Sequence, residues 1–118
     1  MEKKVVILED DADIREIIEY ILVEEKLAVQ SHARAESFWK DVQDNHADLF
    51  LLDVMLPDGN GIDICNQLKA NQSTSHIPII IMSAHHQLMG DGKCPAEDFI
   101  KKPFDIHDFV QRIQKQLL

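Results

Sequence analysis

Three short runs of unbroken apolar residues, Val5–Leu8, Leu49–Leu52 and Ile79–Met82, set the strongest limit on how this chain can fold. A strand wet on one face alternates apolar and polar residues. Unbroken runs rich in Val, Ile and Leu therefore mark strands covered on both faces. Between the runs the spacing turns helical. Ile14, Ile17, Ile18, Ile21 and Leu22 make one stripe, with Asp10 or Asp11 available as its N-cap. Ala35, Phe38 and Val42 mark a second helix. Ile64, Cys65 and Leu68 mark a third, after the turn Pro57–Gly61. Asp105 caps a last one that carries Ile106, Phe109, Val110, Ile113 and Leu117. Leu27–Val29 predicts a weak second strand and Phe99–Ile100 a short fifth. Strands alternating with helices imply right-handed crossovers, hence a three-layer, doubly wound α/β domain around a parallel five-stranded sheet. Residues 1–118 are accounted for by that one domain.

Composition narrows the function. The 12 Lys+Arg against 21 Asp+Glu give a net charge of −9, which repels nucleic acid and fits a pocket that recruits a cation or a basic partner. No apolar stretch is long enough to span a membrane, and the N-terminus lacks the pattern of a secretory signal. Cys65 and Cys94 lie far apart in sequence and read as reduced thiols of a cytoplasmic protein.

In parallel α/β sheets, ligands bind beyond the carboxyl ends of the strands. Asp10 and Asp11 follow the first predicted strand, Asp53 ends the third, Ser83 ends the fourth and Lys102 follows the fifth. Carboxylates gathered there repel one another unless a cation sits among them, and hard oxygen ligands favour Mg2+. Asp53 could then attack a phosphoryl group whose charge is neutralised by the metal and by Lys102.

The residues Leu8-Glu9-Asp10-Asp11, Leu51 through Gly61, Ser83-Ala84 and Phe99 through Phe104 resemble the response regulator receiver domain, in order and over essentially the whole chain. That resemblance implies strand order 2-1-3-4-5 and a phosphorelay switch with Asp53 as phosphoacceptor. It implies Asp10 and Asp11 as the acidic pair, and Mg2+ held by Asp11, Asp53 and the backbone carbonyl of Met55, with Asp10 acting through water. Ser83 takes the place of the conformational hydroxyl, Lys102 that of the phosphoryl-contacting lysine, and Phe99 that of the switch aromatic. The Lys102–Pro103 bond is expected to be cis. The implied partners are a histidine kinase or histidine phosphotransfer protein and a downstream protein target, with no direct contact to nucleic acid or membrane. Chemistry is limited to the domain's own phosphoryl transfer and slow autodephosphorylation. A monomer or weak dimer is expected, stand-alone or excised from a longer protein.

One departure from the family stands out. Ser83 and Lys102 are 19 residues apart, fewer than the family usually has, and Gly90, Gly92 and Pro95 fall between them. Gly costs roughly 1 and Pro roughly 3 kcal/mol in a helix interior, so the fourth helix is expected to be short or irregular and the output face altered. Simpler readings exist for single residues. Asp10 or Asp11 could merely cap a helix, Ser83 likewise, Phe99 could simply cover the core, and the pair His85-His86 could be solvated rather than modulate the acyl phosphate. The main alternative function is a receiver-like interaction scaffold that is never phosphorylated. Against a haloacid-dehalogenase-like phosphohydrolase, Met55 stands where that class needs a second Asp, and Asp53 follows the third strand rather than the first. A calcium loop at residues 53–61 fails on Met55 and Pro57.

Overall fold

The computed structural model describes residues 2–84 and 94–118. Five parallel strands form the main sheet: β1 (Lys4–Leu8), β2 (Ala28–His32), β3 (Leu49–Asp53), β6 (Ile79–Ser83) and β7 (Asp98–Lys101). Their order is β2-β1-β3-β6-β7, the expected 2-1-3-4-5 once two minimal strands are numbered in. Those two, β4 (Met55–Leu56) and β5 (Gly59–Asn60), make a small antiparallel hairpin from the turn that follows Asp53. Four helices occur among the described residues: α1 (Ala12–Glu24), α2 (Ala35–Asp44), α3 (Gly61–Ala70) and α4 (Ile106–Gln116). The expectation of a short or irregular fourth predicted helix, and the pair His85-His86, lie largely or wholly on residues 85–93, outside the described residues.

The apolar runs divide by parity. Val6, Leu8, Phe50, Leu52, Ile79 and Ile81 join one core layer with Phe38 of α2 and Leu68 of α3. Val5, Ile7, Leu49, Leu51, Ile80 and Met82 join the other, under Ile18 and Leu22 of α1 and Phe109 and Ile113 of α4. Every side chain of these strands meets a helix layer, which is why the runs carry no polar alternation. At roughly 25 cal/mol per Å2, each such Val, Leu or Ile contributes about 2 kcal/mol of burial.

Helix ends follow from local chemistry. Asp11 caps α1 by accepting the N–H groups of Asp13 (2.9 Å) and Ile14 (3.1 Å). At its other end the Lys26 N–H donates to Val23 O and the Leu27 N–H to Leu22 O, with Lys26 at φ 64. Those two bonds satisfy carbonyls that the helix leaves open. Arg34, the N-cap of α2, makes no side-chain cap. Asp58, in the hairpin turn, supplies it by accepting the N–H groups of Ala35 (2.8 Å) and Glu36 (3.2 Å). The segment that follows Asp53 is thereby fastened to α2.

His32 at the end of β2 donates to Asp41 of α2 (3.0 Å), whose carboxylate also accepts from Asn45 (2.7 Å). Burial pushes the Asp41 carboxyl up, but the hydrogen bonds from His32 and Asn45 and the charge of Lys4 outweigh it and hold it below its usual value. A lowered carboxyl stabilises the fold above the unfolded-state value, and that stability is lost as pH falls through the folded-state value. Asp41→Asn is therefore expected to lower the urea midpoint by about 1 kcal/mol equivalent near neutrality after solvent screening. The deficit should shrink as pH falls below the ordinary Asp range and through the lowered folded-state value, which chemical denaturation at roughly pH 6 and roughly pH 2 compares directly.

Candidate functional site

The site sits at the carboxyl edge of the sheet, and strand register assembles it. Leu8 pairs with Leu52, so the residues one step further, Glu9 and Asp53, arrive side by side. Asp53 in turn pairs with Met82, and Ser83 with Lys101, which brings Ser83 and Lys102 to the same edge. The Lys102 N–H donates to Ser83 O at 2.9 Å, and the Lys102–Pro103 peptide bond is cis. On the far side the backbone approaches closely. Gly61, opening α3, donates its N–H to Val54 O at 2.8 Å, directly beneath the peptide of Asp53.

Asp53 is 7% exposed, Ser83 is 1% exposed and Glu9 is fully buried. The Lys102 ammonium lies 3.3 Å from Asp53 Oδ2 and makes a short hydrogen bond to Glu9 Oε1. The other Glu9 oxygen accepts the Asp11 N–H at 3.2 Å. Burial pushes the Glu9 carboxyl up. The hydrogen bond from Lys102 works against that rise, while the neighbouring Asp53 carboxylate adds to it. Glu9, Asp10 and Asp53 each offer an oxygen within 4.8 Å of the other two, the one such grouping among the described residues. Three carboxylates against one ammonium leave a deficit of two positive charges. All the donors are hard oxygens, and this is the donor set and charge that a small divalent cation satisfies.

Asp10, Asp53, Ser83 and Lys102 thus come together as the sequence led one to expect, and Met55 lies beside them on the hairpin. Asp11 lines the same pocket but stands outside the grouping of three carboxylates, and its Oδ1 accepts the first amides of α1. The grouping of three carboxylates sets Asp10 beside Glu9, a residue the sequence reading did not single out. A signal was available: Glu9 stands immediately after Val5–Leu8 just as Asp53 stands after Leu49–Leu52. Phe99, on β7, is partly buried against the layer covered by α2 and α3. No described helix is long and apolar enough to cross a membrane.

Comparison with known proteins gives the family and the fold. The response regulator receiver domain family matches residues 5–114. The response regulator ArlR of Staphylococcus saprophyticus is 35% identical over 114 residues, 97% of this chain and 52% of that protein. The transcriptional regulatory protein GltR of Pseudomonas aeruginosa is 30% identical over 119 residues, 98% of this chain and 49% of its own length. The chain therefore spans about half the length of these curated relatives. Among solved structures, the response regulator protein TrrA from Thermotoga maritima, in complex with Mg2+ and BeF, superimposes with a TM-score of 0.89 at 22% identity, covering 98% of this chain and 99% of that one. A CheY-like receiver domain protein from Methanospirillum hungatei gives 0.90 at 24% identity, covering 99% and 94%. Matched along nearly its whole length, the chain belongs to the response regulator receiver domain family, the signalling domains of two-component systems.

Proposed function

We propose that this chain is a phosphorylation-controlled switch in which Asp53, with Mg2+ as cofactor, accepts a phosphoryl group from a histidine kinase or a histidine phosphotransfer protein. The observation that carries the reading is the convergence of Glu9, Asp10 and Asp53 around one ammonium, with Lys102 Nζ 3.3 Å from Asp53 Oδ2. We assign Asp10, Asp53 and the backbone carbonyl of Met55 to the metal, with Glu9 supporting from behind. Asp11 is left out of the set because it caps α1. When bound, Mg2+ supplies charge neutralisation at the phosphoryl oxygens.

The chain's own residues do the remainder. An Asp53 carboxylate oxygen attacks phosphorus, the donor's bond to phosphorus breaks, and an acyl phosphate forms. Lys102, already held against Asp53 by Glu9, follows the charge onto a phosphoryl oxygen, and the Ser83 hydroxyl contacts another. Drawing Ser83 toward the phosphate opens space on the sheet face where Phe99 sits, and Phe99 turning inward carries the change to the outer face of β7. The downstream protein target then selects between two states of one domain, so the chain acts as a switch rather than turning over a metabolite.

Intact-mass spectrometry after incubation with acetyl phosphate, with and without Mg2+, tests this on the wild type and Asp53→Asn. The expected result is a single Mg2+-dependent, hydroxylamine-labile phosphoryl adduct that is absent from the variant. No adduct, together with no binding of beryllofluoride, would return the chain to the scaffold reading. Beryllofluoride binding without an adduct would mean that the acyl phosphate is short-lived.

A further inference from the structure

The acidic run Glu9-Asp10-Asp11 turns the chain from β1 into α1, and one residue collects its three carbonyls. The Arg15 guanidinium, at the end of the first turn of α1, donates from Nη1 to Glu9 O at 2.9 Å. The same nitrogen stands 3.5 Å from Asp10 O, a longer and weaker contact. The Arg15 backbone N–H donates to Asp11 O at 2.9 Å. Carboxylates within reach along the helix are engaged elsewhere. Asp11 accepts the first amides of α1, and Glu19, one turn further on, accepts from Ser31 of β2. Glu9 is held at its other polar atoms as well. Its N–H donates to His32 O at 3.0 Å, one carboxylate oxygen accepts from Lys102 and the other accepts the Asp11 N–H.

We propose that Arg15 is a positioning residue for the metal site, holding the turn between β1 and α1 so that the Asp10 carboxylate is in place before Mg2+ arrives. The inference rests on the assignment of Asp10 and Asp53 to Mg2+ made above. Charge explains why such a residue is needed. Before a cation binds, three carboxylates share the Lys102 ammonium and repel one another. Glu9 and Asp53 are buried at strand ends, whereas Asp10 is exposed. The turn that carries Asp10 is therefore the part that repulsion can open. Drawing the carbonyls of Glu9 and Asp10 onto α1 fixes the two peptide planes that flank the Asp10 Cα, and with them the direction of its side chain. A ligand whose backbone is already held loses less freedom when the metal binds. Arg15 acts through that backbone, so its removal should fall on Mg2+ affinity and leave the phosphoryl step intact once the metal is bound.

The test pairs isothermal titration with magnesium chloride and acetyl phosphate labelling across a range of Mg2+ concentrations, with folding checked by circular dichroism. Arg15→Met keeps the apolar stem and removes the donors, and should weaken Mg2+ binding roughly tenfold. Arg15→Gln, a good helix former too short to span the turn, carries the same expectation should the methionine variant not fold. Labelling of either variant should slow in low Mg2+ and return to the wild-type rate when Mg2+ saturates. Loosened packing of α1 alone would not produce that split. A folded variant with wild-type Mg2+ affinity, beside a wild type that binds Mg2+ and is labelled, would overturn this inference alone. Slow labelling that persists at saturating Mg2+ would overturn it too. A wild type that takes up no Mg2+ would overturn it together with the metal assignment on which it rests.

Discussion

Gly61→Ala is expected to destabilise the fold by about 3 kcal/mol or more and to abolish phosphoryl transfer to Asp53 together with it. A Cβ at this position would stand 2.1 Å from the carbonyl oxygen of Asp53, 2.8 Å from its carbonyl carbon and 3.1 Å from the Val54 Cα. All three are backbone atoms, so no side chain can rotate away to make room. Either α3 lifts off the end of β3 and gives up the Gly61 N–H bond to Val54, or the Asp53–Val54 peptide shifts and carries the Asp53 carboxylate away from Lys102. The first response spends stability and the second spends the site. Urea denaturation and acetyl phosphate labelling of the same variant separate them. Gly59→Ala is the control, since its Cβ would meet only side-chain carbons of Ala35 at 3.5 Å and Ile64 at 3.9 Å, and it should stay within about 0.5 kcal/mol of wild type. Equal stability of the two variants together with equal acetyl phosphate labelling would show that the close approach at Gly61 is not a constraint.

Much of this arrangement was legible before any coordinates. Strands buried on both faces announce themselves as unbroken apolar runs, and β1, β3 and β6 fall where those runs do. Asp105 caps α4 as its position suggested, accepting the Asp108 N–H at 2.9 Å. β2 was harder because it runs Ala28–His32 and includes Gln30, Ser31 and His32 at the edge of the sheet, where burial no longer selects an apolar run. The β4–β5 hairpin was missed for a related reason. Its two-residue strands bury little, and the ties that hold the turn are long-range, above all Asp58 reaching the amides of α2.

The site shows the same division between local and non-local information. Asp53, Ser83 and Lys102 are each a polar residue at or just past the end of an apolar strand, and that pattern is local. Choosing among Glu9, Asp10 and Asp11 needs the register of β1 against β3 and the start of α1, and neither is written in the three carboxylates themselves.

Lys102→Met should cost about 3 kcal/mol in metal-free protein, because removing one partner from a buried ionic cluster leaves the others uncompensated. Lys102 is the sole ammonium that the described residues bring against both Glu9 and Asp53, and Glu9 has no route to solvent. Methionine keeps the apolar stem of the lysine, so the loss reports charge more than packing. The pocket's excess negative charge then grows by one, and a divalent cation becomes worth more to the fold. Mg2+ should therefore raise the unfolding midpoint of the variant by more than it raises that of wild type, while acetyl phosphate labelling falls because the phosphoryl oxygens lose their fixed cation. Thermal unfolding in chelator and in excess Mg2+, read beside intact mass, measures both effects on one sample. If Mg2+ stabilised the two proteins equally, Lys102 and the metal would not be answering the same carboxylates, and the assignment of Glu9 behind the metal would have to be given up.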